Sequence, residues 1–191
     1  ELNMLIGVDI VEVLADFDYA GAVAVQTKSP LVTRDVDILK RLKKVSVGFT
    51  ITSLDDKVSA FLEVKAPLIS QRLEALKKLH DAGISTYAFV GPILPHFLVD
   101  QTIFKRLLDK LQEVGVKEVW FEHINLSPKI KARLYTYLEK EAPKLMEVFD
   151  KANTQEYRDL LNDFIVGEVK SRGMRLGLGK VIHHHSLSKK K

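Results

Sequence analysis

Polar side chains that could do chemistry follow the apolar, strand-like segments of this chain, at the point where each segment ends. Thr27, Lys28 and Ser29 follow "AVAVQ", and Thr50 and Thr52 close "VSVGFTIT". The third apolar segment ends with Val90, Gly91 and Pro92, whose backbone could approach a ligand, and the fourth ends with Glu122, His123 and Asn125. Because the carboxyl ends of parallel strands meet at one edge of a sheet, we expect these groups to share a ligand-binding rim.

Several chemical roles are open to these residues. Lys28 could form a Schiff base, bind an anion such as a carboxylate, or be a surface lysine with its ammonium in water. Thr50 and Thr52 could bond ligand hydroxyls or simply suit a strand, which β-branched residues favour. Gly91-Pro92 could admit a close backbone approach of a ligand, or merely end a strand.

The consecutive histidines His183, His184 and His185 suggest metal ligands at first sight. On a strand, however, only His183 and His185 share a face, and no carboxylate lies beside them in the sequence. We therefore predict no metal site.

Alternating apolar segments predict a fold of repeated βα units. A first helix is expected at 3–17. Strands are expected near 22–27, 44–52, 85–95 and 118–126, with helices near 35–42, 53–62, 69–82 and 101–114 between them. Helices near 128–140, 143–151 and 154–172 and a last strand in 180–185 follow. Strands separated by helices indicate a parallel sheet, and continuous apolar strands indicate helices on both faces.

The predicted fold class is therefore α/β, with parallel βα repeats at 1–126 and a mainly helical extension at 127–191. No G-x-G-x-x-G follows a strand, which weighs against a dinucleotide fold. The βα repeats fit either an open sheet or part of a β/α barrel.

Composition and charge limit the function classes. Hydrophobic residues make up 46% and charged residues 28% of the 191 residues, as in ordinary globular proteins. No apolar run approaches the ~20 residues of a membrane span, so we expect a cytoplasmic protein with no membrane partner. Residues 169–191 hold seven basic residues and no acidic one. This segment is therefore either a frayed, solvated tail or a segment that contacts nucleic-acid phosphates.

Four ordered strings carry a family resemblance: "TKSPLVTRDVDILKRL", the run from "VSVGFTITSLDD" to "LKKLHDAGI", "GPILP" and "VWFEHINL". Together they resemble radical S-adenosylmethionine proteins of the spore photoproduct lyase-like, or DNA-repair-photolyase-like, family. The resemblance covers residues 5–126. It implies a partial β/α barrel, a [4Fe–4S] cluster and S-adenosylmethionine, which the family cleaves to a 5′-deoxyadenosyl radical.

The same resemblance implies roles for the strand-end residues. Lys28 and its neighbour Ser29 would lie near the cofactor's carboxylate or ribose, and Thr50 and Thr52 near its ribose or methionine moiety. The backbone of Val90, Gly91 and Pro92 would flank the adenine. Glu63 and Arg72, which also match family positions, would brace the loop after the strand that ends near Thr50.

The chain departs from the family in one respect. The family's C-x-x-x-C-x-x-C loop holds the cluster through thiolates, and this sequence contains no cysteine. The expectation is a C-terminal part of a radical lyase-like enzyme, inactive without an N-terminal segment of the same protein. The alternative interpretation is an intact protein that has lost the iron–sulfur cluster. An incomplete barrel would also leave a sheet edge at 22–27 open to self-association.

Two functions of other classes remain open. One is a cluster-free β/α-barrel enzyme that uses Lys28 as a Schiff-base lysine. The other is a non-catalytic module that binds nucleic acid through its basic tail and rim.

Overall fold

Five parallel strands form the sheet of this protein. A computed structural model describes residues 10–63, 65–152 and 154–183. The strands are β1 (Val23–Thr27), β2 (Val45–Thr50), β3 (Ser85–Ile93), β4 (Glu118–His123) and β5 (Arg175–Leu176), in the order β1-β2-β3-β4-β5. The predicted α/β class with parallel βα repeats is confirmed.

Helices occupy every interval between strands. They are α1 (described over 10–16), α2 (Val36–Arg41), α3 (Asp56–Leu62), α4 (Ile69–Asp81), α5 (Gln101–Glu113), α6 (Pro128–Glu141), α7 (Met146–Lys151) and α8 (Gln155–Ser171). Short 3₁₀ turns lie at Pro30–Asp35, Pro95–Leu98, Pro143–Leu145 and Gly177–Gly179. The helical C-terminal extension is thus confirmed. Across the described ranges, none of the helices combines the length and hydropathy that a membrane crossing requires.

Local sequence signals fix several helix ends. The Asp55 carboxylate caps α3 by accepting the Lys57 amide at 2.8 Å. Helices α4 and α5 are followed by Gly83 (φ 82°) and Gly115 (φ 91°), where the left-handed backbone favours glycine. The sequence predicted both glycine ends.

The chain divides into two compact units. The described residues up to Phe89, with Lys110–Lys117, form the first unit; Val90–Asp109 and the described residues from Glu118 onward form the second. In the first unit, Phe49 of β2 and Leu76 of α4 are fully buried. In the second, the Phe104 ring lies 5.6 Å from the Phe121 ring and 5.1 Å from the Phe164 ring. The boundary expected near residue 126 stays a prediction.

The position of the last strand was predicted wrongly. β5 lies at Arg175–Leu176 rather than in 180–185, where the described residues form only an isolated bridge between Ile182 and Glu122. The intervening 3₁₀ turn contains Leu178 at a φ of 55°, which interrupts the pairing with β4 and splits the ladder in two. Residues 184 and 185 lie outside the described residues.

β1 differs from a strand covered on both faces. Val23, Val25 and Thr27 are half-buried, whereas Ala24 and Gln26 are exposed. β1 stands at one end of the strand order and, within the described residues, pairs only with β2. Among residues 10–63, 65–152 and 154–183, one face and one edge of β1 are therefore left uncovered.

We expect the chain to self-associate through this accessible edge, because unpaired backbone groups of an edge strand can pair with another chain. Light scattering should show a mass that rises with protein concentration. Ala24→Lys should suppress the rise by placing a charge on β1, whereas Ala60→Lys, at an exposed position of α3, should leave it unchanged. A concentration-independent monomer mass for the unmodified chain would contradict the expectation.

A glycine of β2 makes room for an aromatic ring of β3. Gly48 is aligned with Tyr87, and a Cβ at Gly48 would lie 2.1 Å from the Tyr87 ring. Gly48→Ala should therefore lower the free energy of unfolding by about 1–3 kcal/mol through overpacking, measured by urea denaturation. The control is Gly167→Ala in α8, where no atom lies within 4 Å of the new Cβ; it should stabilise the protein by about 1 kcal/mol. Equal effects of the two substitutions would disprove the crowding at Gly48.

Candidate functional site

An ion network joins the carboxyl ends of β1 and β2 in the first unit. The Lys28 ammonium lies 2.9 Å from Glu63 Oε1, directly after β1. The other carboxylate oxygen of Glu63 pairs with the guanidinium of Arg72 on α4. The exposed fractions of the three side chains fall from 45% for Lys28 to 8% for Glu63 and 0% for Arg72. The network thus runs from solvent into the core.

Arg72 holds two backbone segments together. Its Nη1 donates to the carbonyl of Thr50, the last residue of β2, at 2.8 Å, and its Nε donates to the carbonyl of Pro67 at 2.9 Å. A buried guanidinium is stable only when its charge is paired and its donors are bonded. Arg72 therefore fixes the end of β2 relative to the loop before α4, which is the bracing role that the resemblance implied for Glu63 and Arg72.

The charges of this network do not cancel. One carboxylate, that of Glu63, is shared by two cations, so the three side chains carry a net formal charge of +1. The excess charge lies toward Lys28, because Arg72 is enclosed and Lys28 is half exposed. An anionic group that approaches the end of β1 would find an ammonium already held in place.

Ser29 has a local structural role. Its hydroxyl is the N-cap of the 3₁₀ turn Pro30–Asp35 and accepts the Leu31 amide at 3.4 Å. Its own amide donates to the Thr27 hydroxyl at 3.0 Å. These bonds stabilise the bend after β1 in which Lys28 lies.

The two predicted threonines lie at and just beyond the end of β2. Thr50 is nearly buried and presents its carbonyl to Arg72, while Thr52 is completely buried. Within the described residues, the Thr52 hydroxyl oxygen has no hydrogen-bond partner. A buried, unpaired hydroxyl is costly in a native fold, so this atom is a candidate ligand contact.

The third predicted group belongs to the second unit. Val90, Gly91 and Pro92 form the latter part of β3, where Val90 and Gly91 are buried and Pro92 is half-buried. The peptide bond between Gly91 and Pro92 is cis. Their contact with an adenine stays a prediction.

The first unit also has an apolar cleft of about 390 Å³, which is lined by other residues than those of the ion network. It opens over β1 and is lined mainly by aliphatic side chains of α1, β1 and α2, with Thr27, Ser29 and Asp35 among its few polar residues. Lys28 and Glu63 do not line it. We place the candidate site at the network rather than in this cleft, because the network supplies charge and directed polar groups.

His123 lies at the carboxyl end of β4 in the second unit. It is buried, its Nδ1 lies 3.1 Å from the Ile124 carbonyl, and its ring centroid lies 5.3 Å from that of His183. Burial lowers the pKa of His123 to about 4, so the ring is neutral at pH 7. The Tyr157 ring of α8 packs edge-on against it at 6.5 Å. His123 is thus a neutral core residue.

Potential metal ligands are not grouped in the described part of the chain. No set of three histidine, aspartate or glutamate side chains there has an arrangement that could hold an ion. His184 and His185 of the histidine run lie outside the described residues.

Sequence reasoning placed Lys28 at the rim but missed its direct contact with Glu63. The two residues are far apart in the chain, and Glu63 follows a helix rather than a strand. The packing of Tyr157 and His183 on His123 was missed for the same reason. For the Lys28–Glu63 contact, the sequence offered one signal, which was the match of Glu63 and Arg72 to family positions.

No family model matches the chain. An uncharacterised protein of Methanocaldococcus jannaschii is 26% identical over 164 residues, which is 86% of this chain and 60% of that protein. An uncharacterised protein of the Acidianus two-tailed virus is 28% identical over 147 residues, or 73% of this chain and 48% of that protein. The chain therefore spans about half to three fifths of the length of these relatives.

Solved structures of spore photoproduct lyase share the fold. The lyase complexed with dinucleoside spore photoproduct superposes with a TM-score of 0.64 at 20% identity, covering 88% of this chain and 54% of the lyase. A lyase mutant with bound AdoMet and the same dinucleoside gives a TM-score of 0.62 at 20% identity, with the same coverage. The chain thus shares the fold of the corresponding part of this lyase.

Arg72→Met should lower the free energy of unfolding by about 3–5 kcal/mol, because it leaves the Glu63 carboxylate and the Thr50 and Pro67 carbonyls without their buried donor. Urea denaturation measures the change. Arg41→Met, which removes an exposed pair with Asp16, should cost less than about 1 kcal/mol.

A double-mutant cycle with Glu63→Gln separates the ion pair from packing. The combined loss in Glu63→Gln/Arg72→Met should be smaller than the sum of the single losses, by about 1 kcal/mol or more. Strictly additive losses would show that Glu63 and Arg72 do not stabilise each other.

Proposed function

We propose that this chain is the S-adenosylmethionine-binding part of a radical enzyme that resembles spore photoproduct lyase and acts on nucleic acid. The observation that carries the proposal is the Lys28–Glu63–Arg72 network at the end of β1, with its uncompensated positive charge. The shared fold supports it. The substrate assignment rests on likeness to the lyase, whose structure is complexed with a dinucleoside photoproduct.

The residues present fit the cofactor. S-Adenosylmethionine has a carboxylate, which the Lys28 ammonium would bind, and ribose hydroxyls, which could pair with the buried Thr52 oxygen that lacks a partner among the described residues. Glu63 would keep the ammonium in place, and Arg72 would hold Glu63. In this arrangement the chain binds and orients the cofactor, and a charge-assisted contact contributes most of the selectivity for its carboxylate.

The same residues do not fit a [4Fe–4S] cluster. Such clusters are held by cysteine thiolates, and the sequence has none. In the proposed enzyme, polypeptide outside these 191 residues would supply the thiolates. The chain alone would bind the cofactor without cleaving it.

A Schiff-base role for Lys28 is less well supported. Schiff-base lysines are activated by an apolar pocket or a neighbouring cation, whereas Lys28 is half exposed and lies 2.9 Å from the Glu63 carboxylate. The network therefore favours an electrostatic role over a nucleophilic one. Borohydride trapping with a carbonyl compound should yield no adduct at Lys28.

Isothermal titration of the chain with S-adenosylmethionine tests the proposal. Lys28→Ala should weaken binding by about 10- to 100-fold, as expected for the loss of a charge-assisted hydrogen bond. Lys43→Ala, which removes an exposed lysine paired with Asp18, should leave the affinity unchanged. Equal affinities of Lys28→Ala and the unmodified chain, or no binding by the unmodified chain, would contradict the proposal.

A further inference from the structure

The apolar cleft over β1 has a single charged side chain among the described residues that line it. Aliphatic side chains of α1, β1 and α2 form most of its surface, and its polar residues are Gln26, Thr27, Ser29 and Asp35. Its volume of about 390 Å³ falls within the range of about 300–1,000 Å³ that is usual for small-molecule sites. The cleft therefore combines an apolar surface with one carboxylate, that of Asp35.

The Asp35 carboxylate is enclosed but weakly paired. Asp35 occupies the N-cap position of α2, where an aspartate usually accepts a helix amide, yet its side chain makes no capping bond. Among the described residues, its ion pair is with the adjacent Arg34, whose Nε lies 3.5 Å from Asp35 Oδ1 and whose side chain is 48% exposed. The Asp35 side chain is only 18% exposed. A carboxylate with so little access to water and so loose a partner would be stabilised by a positively charged hydrogen-bond donor.

The shape of the cleft suits an extended apolar ligand. All five residues of β1 (Val23–Thr27) line it, and a strand of this length extends about 13 Å. Val11 and Leu14 of α1 and Ile38 of α2 add further aliphatic side chains. Each methylene group of a ligand that is fully buried against such a surface strengthens binding about fourfold. An alkyl chain would therefore gain affinity with each carbon that the cleft covers.

Two other kinds of occupant fit the cleft less well. A fatty acid would bring a second carboxylate toward Asp35, and like charges in a site of low polarity repel each other. A polypeptide strand would bring an N–H and a C=O group with every residue, and each buried group needs a hydrogen-bond partner. An aliphatic chain has no such groups to satisfy, and an ammonium at its end complements the charge of Asp35.

From the cleft and its carboxylate we infer that the first unit binds a small aliphatic amine, with the alkyl chain along β1 and the ammonium at Asp35. The proposed function does not use this site. Lys28 and Glu63, which would contact and position the cofactor, do not line the cleft. Either proposal can therefore fail without the other.

Isothermal titration at pH 7 with n-octylamine, n-octanol and n-octanoate tests the inference. Octylamine should bind about tenfold or more tightly than octanol, because its ammonium adds a charge-assisted hydrogen bond to Asp35. Octanoate should bind most weakly of the three. n-Butylamine, which keeps the charge but has a shorter chain, should bind at least about tenfold more weakly than octylamine.

Variants of the chain locate the site. Asp35→Asn keeps the size of the side chain and removes its charge, so it should weaken octylamine binding about tenfold or more and leave octanol binding unchanged. The matched control is Asp37→Asn, at an exposed position of α2 that does not line the cleft, and it should change neither. Val32→Phe enlarges a lining side chain and should weaken the binding of both ligands. Thermal unfolding of each variant checks that it is folded at the temperature of the titration.

Three results would overturn the inference: no octylamine binding by the unmodified chain, equal affinities for octylamine and octanol, or equal effects of Asp35→Asn and Asp37→Asn. Failure of octylamine to bind while light scattering shows self-association would assign the cleft to a second copy of the chain, and would also overturn it. Titration of Asp35→Asn with S-adenosylmethionine should match the unmodified chain, so failure of the two proposals can be told apart.

Discussion

The buried guanidinium of Arg72 is the constraint on which the candidate site depends. A cation with no solvent exposure is stable only when its charge is paired, and Arg72 has an ion pair with Glu63 and donates hydrogen bonds to two backbone carbonyls. These partners come from β2, from the loop before α4 and from Glu63. Satisfying one side chain therefore orders three separate segments of the chain.

The same constraint determines the electrostatics at the surface. Because Glu63 is fixed by Arg72 from the inside, its second oxygen faces Lys28 at 2.9 Å and holds a long, flexible side chain close to the end of β1. A lysine anchored in this way loses less conformational entropy when an anion binds than a freely rotating one would. The same carboxylate thus pairs with the buried guanidinium and positions the ammonium that the proposed cofactor contact would use.

Much of the fold could be read from the sequence because its determinants are local. Apolar segments give the strands, and Gly83 and Gly115 end helices through a backbone conformation that other residues rarely adopt. β5 could not be found, since two paired residues leave no periodic signal and Leu178 interrupts the segment.

The candidate site was only partly predictable for a different reason. The position of Lys28 after an apolar strand is visible in the sequence, but its contact with Glu63 requires tertiary structure. Arg72 looks like any helical arginine until its backbone partners, the carbonyls of Thr50 and Pro67, are known. Every residue has a backbone carbonyl, so the sequence does not indicate which carbonyls accept hydrogen bonds from Arg72.

The open side of β1 has a consequence for how this fold can recognise a neighbour. Main-chain amides and carbonyls are the same in every polypeptide, so pairing along β1 would be indifferent to the identity of the incoming strand. Discrimination would fall to the side chains of Ala24 and Gln26, the two exposed positions of that strand. The backbone of β1 would therefore accept strands of many sequences, and the steric fit against these two side chains would select among them.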